Sequence, residues 1–347
     1  MLNEVQNSIF KTLVYADIFD YPLRPGEIFQ YLIAKKRIAK DYVLKLLEKI
    51  EPDESRISTD GEFYFLCGRG KLSDLRKKRQ WWSREKIKKA KSVADLVKMV
   101  PTVKLVGISG ALAMENSDED DDIDLFIVAA SGRLWLTRFL ATILVEVTGQ
   151  RRRPRASLAN SSTSEESHST PFGRSGPPSE VFPWLARPSA VISGQSAAIG
   201  DYKDKICLNM FVDEDHLVLP QDEQNLFTAH EVVQMKPIWE RDDTYQKFLW
   251  ENRWVKEYLP NSMEKAKSLP YRQAGKKQKA RLAVGQAKIQ CKIKKRNILD
   301  SLEKLLGNLQ LKYMARRRTT EKIENGRIMF YPIDKGKWVM KNYELKM

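Results

Sequence analysis

Histidine and cysteine, the side chains that most often ligate metals, are scarce in this chain: three of each occur among 347 residues. Cys67, Cys207 and Cys291 lie far apart and match no CxxC or Cys/His spacing, which excludes a disulfide framework and a zinc site legible from spacing. A reducing compartment, the cytoplasm, is the expected location. His230-Glu231 opens like a zinc-protease motif, but position 234 is Gln where the second His is required, so His216 and His230 are read as structural. Long apolar runs are missing too. None approaches the ~20 residues a membrane helix needs, and Asp and Glu interrupt the first thirty positions, so neither a membrane partner nor export is expected. Acids are in deficit, 45 against 60 Lys and Arg, for a formal charge of +15. That balance favours polyanionic partners such as nucleic acid or nucleotide phosphates.

What is present is enough apolar material to fold: 42% of residues are hydrophobic and 10% aromatic, and the length suits two or three domains. Residues 5–19 place Ile9, Leu13 and Val14 on one helical face, Pro25 opens a second helix, and Val43, Leu46, Leu47 and Ile50 mark a third. Two β-rich runs follow around Asp60-Gly61, a dipeptide suited to a tight turn. Three helices and a hairpin is the order of a winged helix, over residues 1–70. Residues 71–100 read as a basic connecting helix whose packed face is Ile87, Ala90, Val93 and Val97, with Trp81-Trp82 either stacking bases or anchoring a contact.

"VKLVGISG", "IDLFIVAA" and "KICLNMFV" read as buried strands with the apolar helix "RLWLTRFLATILVEV" between the last two, an α/β pattern over 101–215. Residues 151–200 break it with eleven Ser, six Pro and no period, the texture of a disordered insertion. Residues 216–320 read as helical, with 264–318 holding seventeen Lys and Arg against Glu264, Asp300 and Glu303, and a packed face of Ile298, Leu302, Leu305 and Leu309. The tail, 321–347, has aromatic and turn residues with no assignable role.

Between the first two strands the acids that are rare elsewhere crowd together: six of the seven residues 118–124 are Asp or Glu. Asp122 and Asp124 flank Ile123, so a strand starting there projects both carboxylates from one face, about 7 Å apart. Paired carboxylates can share divalent cations, and Mg²⁺ prefers carboxylate together with phosphate oxygens. Upstream, Gly110 lies between a strand and a short helix start, where uncovered backbone N–H groups suit a triphosphate.

Ile108, Ser109, Gly110 and Ala111, then ten residues, then Asp122-Ile123-Asp124-Leu125 resemble the signature of the polymerase-β superfamily of nucleotidyltransferases. The resemblance covers residues 101–149 and 205–215. It implies an α/β nucleotidyltransferase core, preceded by the winged-helix-like domain and followed by a basic helical region. It also implies a Mg²⁺-dependent transfer of a nucleoside monophosphate from a nucleoside triphosphate to a hydroxyl, with release of pyrophosphate. Asp122 and Asp124 would be catalytic and hold two metals, and Ser109, Gly110 and Ala111 would hold the nucleotide. From the residues themselves, Arg133 is a further candidate phosphate contact. The third acid of the pattern has no match; Asn209 is the candidate extra ligand on its strand, with Asp204 and Asp213 as alternatives, and Ala111 stands where the family has Ser or Gly. RNA or DNA is the acceptor the basic C-terminal region favours. The rival reading is a nucleic-acid-binding regulator whose transferase core is degenerate.

Overall fold

A computed structural model of the chain describes residues 4–49, 56–152, 202–265, 286–315, 322–324, 326–329 and 335–347. Most of the proposed insertion, residues 153–201, lies outside them, as do residues 266–285 of the basic stretch and Ile50.

The chain begins with helices α1 (Glu4–Asp17), α2 (Pro25–Gln30) and α3 (Lys40–Glu48), then strands β1 (Ile57–Thr59) and β2 (Tyr64–Leu66). Ile9, Leu13 and Val14 of α1 pack with Ile28, Val43, Leu47 and Ile57 in one apolar cluster. Proline at the start of α2 forfeits an N–H that would have had no partner there. The two strands pair antiparallel. Asp60 sets their turn by accepting the N–H groups of Glu62 at 3.0 Å and Phe63 at 2.8 Å. Gly61 supplies the positive φ of +92° that the bend requires.

Helix α4 (Leu72–Val97) buries Ile87, Ala90, Val93 and Val97, the expected face. It also buries Arg76, Arg79 and Lys86, so part of the basic texture of this segment is interior. Trp81 is exposed. Strands β3 (Val103–Ile108), β4 (Ile123–Ala129) and β5 (Ile206–Asp213) follow, with α5 (Gly110–Ala113) between β3 and β4 and α6 (Leu134–Val147) after β4. Next come α7 (Leu226–Gln234), β6 (Lys236–Glu240), α8 (Thr244–Glu251) and α9 (Gln286–Ala315), then β7 (Lys322–Glu324), β8 (Arg327–Met329) and α10 (Lys335–Lys346).

Among the described residues, six strands form one mixed sheet in the order β6-β3-β4-β5-β8-β7. Only the central pair β4–β5 is parallel, and α6 lies on the crossover between them. Alternation along β4 divides its side chains between two cores. Ile123, Leu125, Ile127 and Ala129 pack toward α4 and α6. Phe126 and Val128 pack toward α7 and α8. The chain is therefore mixed α/β, and no described helix is long and apolar enough to cross a membrane.

Three expectations from the sequence need correction. Lys236–Glu240, read as helix, is an edge strand; Pro237 cannot sustain a helix interior but is tolerated at a sheet edge. The tail supplies β7 and β8, and β8 covers the far side of β5. Helix α9 does not pack through its apolar stripe: Ile298, Leu305 and Leu309 are 61%, 56% and 54% exposed. It docks instead through Leu306 and Met314 and through Glu303, which accepts the backbone N–H groups of Trp135 at 2.6 Å and Leu136 at 2.9 Å. A carboxylate there caps the positive end of α6.

Arg79 donates from Nε and Nη2, one edge of its guanidinium, to the two carboxylate oxygens of Asp118 at 2.8 and 2.9 Å, and from Nη1 to Asn116 Oδ1 at 3.2 Å. Its replacement by Ala leaves a partly buried carboxylate without its partner, and chemical denaturation of Arg79→Ala is expected to show a loss on the order of 3 kcal/mol.

Candidate metal centre

Of the six clustered acids, several are held by the scaffold. Asp118 pairs with Arg79, and Asp121 accepts the N–H of Asp118 at 2.8 Å, closing the loop on itself. Lys86, buried in α4, donates to the backbone carbonyls of Glu119 and Asp121 and pairs with Asp204 at 3.1 Å. Glu119 pairs with Lys203 at 2.5 Å. These contacts fix the loop as it enters β4 at Asp122 and Ile123.

The strand register then assembles a row of side chains. Ile108 of β3 stands opposite Leu125 of β4, and the Ser109 N–H donates to the Asp124 carbonyl at 3.1 Å, which carries the antiparallel pairing one step further. On the other side Asp124 pairs with Cys207 of β5. Cross-strand partners share a face, so Ser109, Asp124 and Cys207 lie side by side, with Asp122 two residues before Asp124 on that face. Ligand atoms of Asp122, Asp124 and Cys207 all lie within 4.8 Å of one another.

Ser109 and Gly110 form the floor beside this row. Gly110 has φ of +64°, and a Cβ added to it would stand 3.2 Å from Asp124 Oδ2; glycine keeps the approach to the carboxylate open. Ser109 occupies the N-cap of α5 but makes no capping bond, and its buried hydroxyl has no hydrogen-bond partner. Buried hydroxyls are nearly always paired, so this one is a free group next to the carboxylates. Ala111 is exposed on the same turn.

Charge in the row is unbalanced. Burial, and then the neighbouring charge of Asp122, push the Asp124 carboxyl up to about 7, with Lys335, Cys207 and Arg152 pulling the other way. Burial followed by the two carboxylates raises the Cys207 thiol well above its ordinary value. Arg152 donates to Asp122 Oδ2 at 2.6 Å and lies over the Tyr202 ring, 4.7 Å from its centroid. Donors, an open glycine and an unpaired hydroxyl all fit a divalent cation with phosphate oxygens beside it.

The structure disperses other candidates. Arg133 follows the far end of β4, a strand of seven residues or roughly 20 Å from Asp122, and pairs with Asp300 at 2.6 Å; it braces α9 and cannot reach phosphate at this site. Asp204 is engaged by Lys86. Asp213, at the far end of β5, accepts from Gly132 at 2.7 Å. Asn209 is buried at the irregularity in the β4–β5 pairing, where Phe126 pairs with Met210. Cys207 and Arg152, which do meet the carboxylates, and Lys335, whose charge acts on Asp124, carried no local signal: each comes from a segment remote in sequence, and only the parallel register reveals Cys207. His230 stacks on Tyr15 at 3.9 Å and bonds the Leu226 carbonyl at 2.9 Å, a structural role.

Because Asp124 titrates near 7 when folded and at the ordinary 3.8 when unfolded, the native state holds an extra proton between those values. The stability this confers is full below about pH 4 and is lost as pH rises through about 7. Denaturant titrations across that window are expected to show this fall in the parent chain and a flatter profile in Asp124→Asn. No known protein family, curated protein or solved structure matches this chain.

Proposed function

We propose that the chain is a nucleotidyltransferase that moves a nucleoside monophosphate from a nucleoside triphosphate to a hydroxyl acceptor, releasing pyrophosphate. The observation that carries this reading is the apposition of the Ser109-Gly110 turn to Asp124, with Asp122 and Asp124 on one face of β4. The same arrangement supports the likeness to the polymerase-β superfamily drawn from the sequence.

In this reading Asp122 and Asp124 hold divalent metal, Mg²⁺ by that likeness, which neutralises phosphate charge and lowers the acidity barrier of the attacking hydroxyl. Gly110 lets the phosphates approach the backbone without a side chain in the way, and the Ser109 hydroxyl donates to a phosphate oxygen. Arg152, released from Asp122 once that carboxylate has another cation, has the reach and charge to meet a phosphate. Asp124, whose carboxyl burial and then the charge of Asp122 push up to about 7, gives up its proton as metal binds, which ties formation of the competent site to the metal. Catalysis is then positioning and charge neutralisation, as in other phosphoryl transfers.

The acceptor we propose is RNA or DNA. Lys35, Lys36, Arg37 and Lys40 are exposed at the approach to α3, in the three-helix and hairpin unit that we read as winged-helix-like, and the basic stretch 264–318 adds charge. A second reading, a nucleic-acid-binding regulator with a degenerate core, is favoured by one observation: among the described residues the group that joins Asp122 and Asp124 is the thiol of Cys207 and not a third carboxylate.

Transfer of α-labelled nucleotide to RNA, DNA, protein or small-molecule pools with Mg²⁺ separates the two. Label entering one pool and lost by more than a hundredfold in Asp122→Asn, with an unchanged denaturation midpoint, is the expected result; no label with a folded chain that still binds nucleic acid selects the regulator.

A further inference from the structure

We propose that Cys207 is itself a metal ligand, and that Asp122, Asp124 and Cys207 form a mixed carboxylate–thiolate site that takes a thiophilic divalent ion, of the Zn²⁺ or Co²⁺ class, in preference to Mg²⁺. The inference rests on the same two carboxylates as the transferase reading and replaces the Mg²⁺ of that reading with a softer ion; it requires no transfer chemistry.

Cysteine within a sheet is ordinarily a small apolar residue in a core. Cys207 is placed otherwise. Its β5 neighbours Ile206, Leu208 and Phe211 pack with the apolar residues of α4 and α6, and Met210 and Val212 pack on the opposite side, while Cys207 belongs to neither cluster. Its surroundings are polar: both carboxylates within 4.8 Å and an Arg152 nitrogen 4.0 Å from its sulfur. The register fixes it directly beside Asp124, so it is held by two paired strands and not by a loop.

A second observation points to a ligand in the same place. The buried Ser109 hydroxyl, across β4 from Cys207, has no partner, and the Cα of Gly110 leaves open the space beside Asp124 Oδ2. The row thus offers two carboxylate oxygens and one sulfur within 4.8 Å of one another, beside an unpartnered hydroxyl on the neighbouring strand end. Thiolate selects softer ions and is a poor donor to Mg²⁺, whereas carboxylate serves both. The thiol proton must leave for sulfur to bind, so each ion bound displaces a proton to solvent and affinity rises with pH. The Cys207 sulfur and the Asp124 carboxylate lie within 4.8 Å of one another, a separation that an ion between them bridges with two bonds.

The test is a Cd²⁺ and Co²⁺ titration of the full chain carrying Cys67→Ser and Cys291→Ser, so that Cys207 is the only thiol. The expected result is a thiolate-to-metal charge-transfer band saturating at one equivalent, with proton release. The band should be absent from a further Cys207→Ser variant, with a loss of affinity beyond the ~10–100-fold that follows removal of an outer-shell partner. It should also disappear in Asp122→Asn/Asp124→Asn, and excess Mg²⁺ should fail to displace the ion. Stoichiometric binding without a band, equal in Cys207→Ser and reversed by Mg²⁺, would remove Cys207 from the site while leaving the carboxylate centre of the transferase reading intact. Absence of any divalent binding by calorimetry would overturn both.

Discussion

The structure depends on three cations buried in α4. Six acids in seven residues repel one another, and a loop so charged would not hold a defined path into a strand. Arg79 takes Asp118, and Lys86 gathers the carbonyls of Glu119 and Asp121 together with Asp204 from the strand-β5 side. Arg76 ties the same helix to the N-terminal unit, donating to the Pro22 carbonyl at 2.7 Å, pairing with Glu27 and lying 3.7 Å from the Tyr21 ring centroid. Tyr21 in turn donates to the Met114 carbonyl at 2.8 Å, at the end of α5. One helix therefore fixes both sides of the candidate centre: the acidic loop that feeds Asp122 and the turn that carries Gly110. Charges this enclosed are costly unless paired, which makes the pairing a constraint on geometry as much as a source of stability.

That constraint explains which parts of the molecule were legible in the sequence. Elements whose burial follows from their own period were readable: β3, β4, β5, α1 and α6 were expected from apolar runs and fall where expected. The Asp60-Gly61 turn was readable because its chemistry is local. The α9 face was not, because its orientation is decided by a polar contact, Glu303 capping α6, and a hydrophobic stripe carries no information about a distant helix end. Lys236–Glu240 was not, because five residues with a proline have no clear period and acquire strand geometry only by pairing with β3. The tail strands likewise exist through pairing with β5.

The site divides along the same line. Asp122 and Asp124 share a face because of the period of one strand, and Gly110 has its conformation because of one turn, so both were legible. Cys207 reaches the carboxylates through the parallel β4–β5 register and Arg152 through the bridge of Arg151 to Ile206, while Lys335 of α10 acts on Asp124 by its charge; a window of sequence contains none of this. Arg133 was misassigned for a related reason. The start of a helix after a β-strand is a reasonable place to seek a phosphate contact, but here the carboxylates stand at the entry of β4 and α6 begins at its exit, so the strand itself separates them.

Electrostatics at the centre supplies the last step. Two monovalent cations bear on the carboxylate pair: Arg152, bonded to Asp122, and Lys335, whose charge reaches Asp124. Both sit on long side chains, and each replaces only part of the hydration that burial removes. Asp124 accordingly remains pushed up to about 7, and Cys207 beside it is raised as well. In the acidic loop Arg79 of α4 answers Asp118 and Lys203 answers Glu119; at the row Arg152 answers Asp122, while the buried Asp124 has only the more distant charge of Lys335 and Arg152. The raised Asp124 carboxyl, the unpaired buried Ser109 hydroxyl and the missing side chain at position 110 therefore coincide at one place, and a compact ion of charge two is the species we propose for it because it would supply there what two monovalent side chains do not.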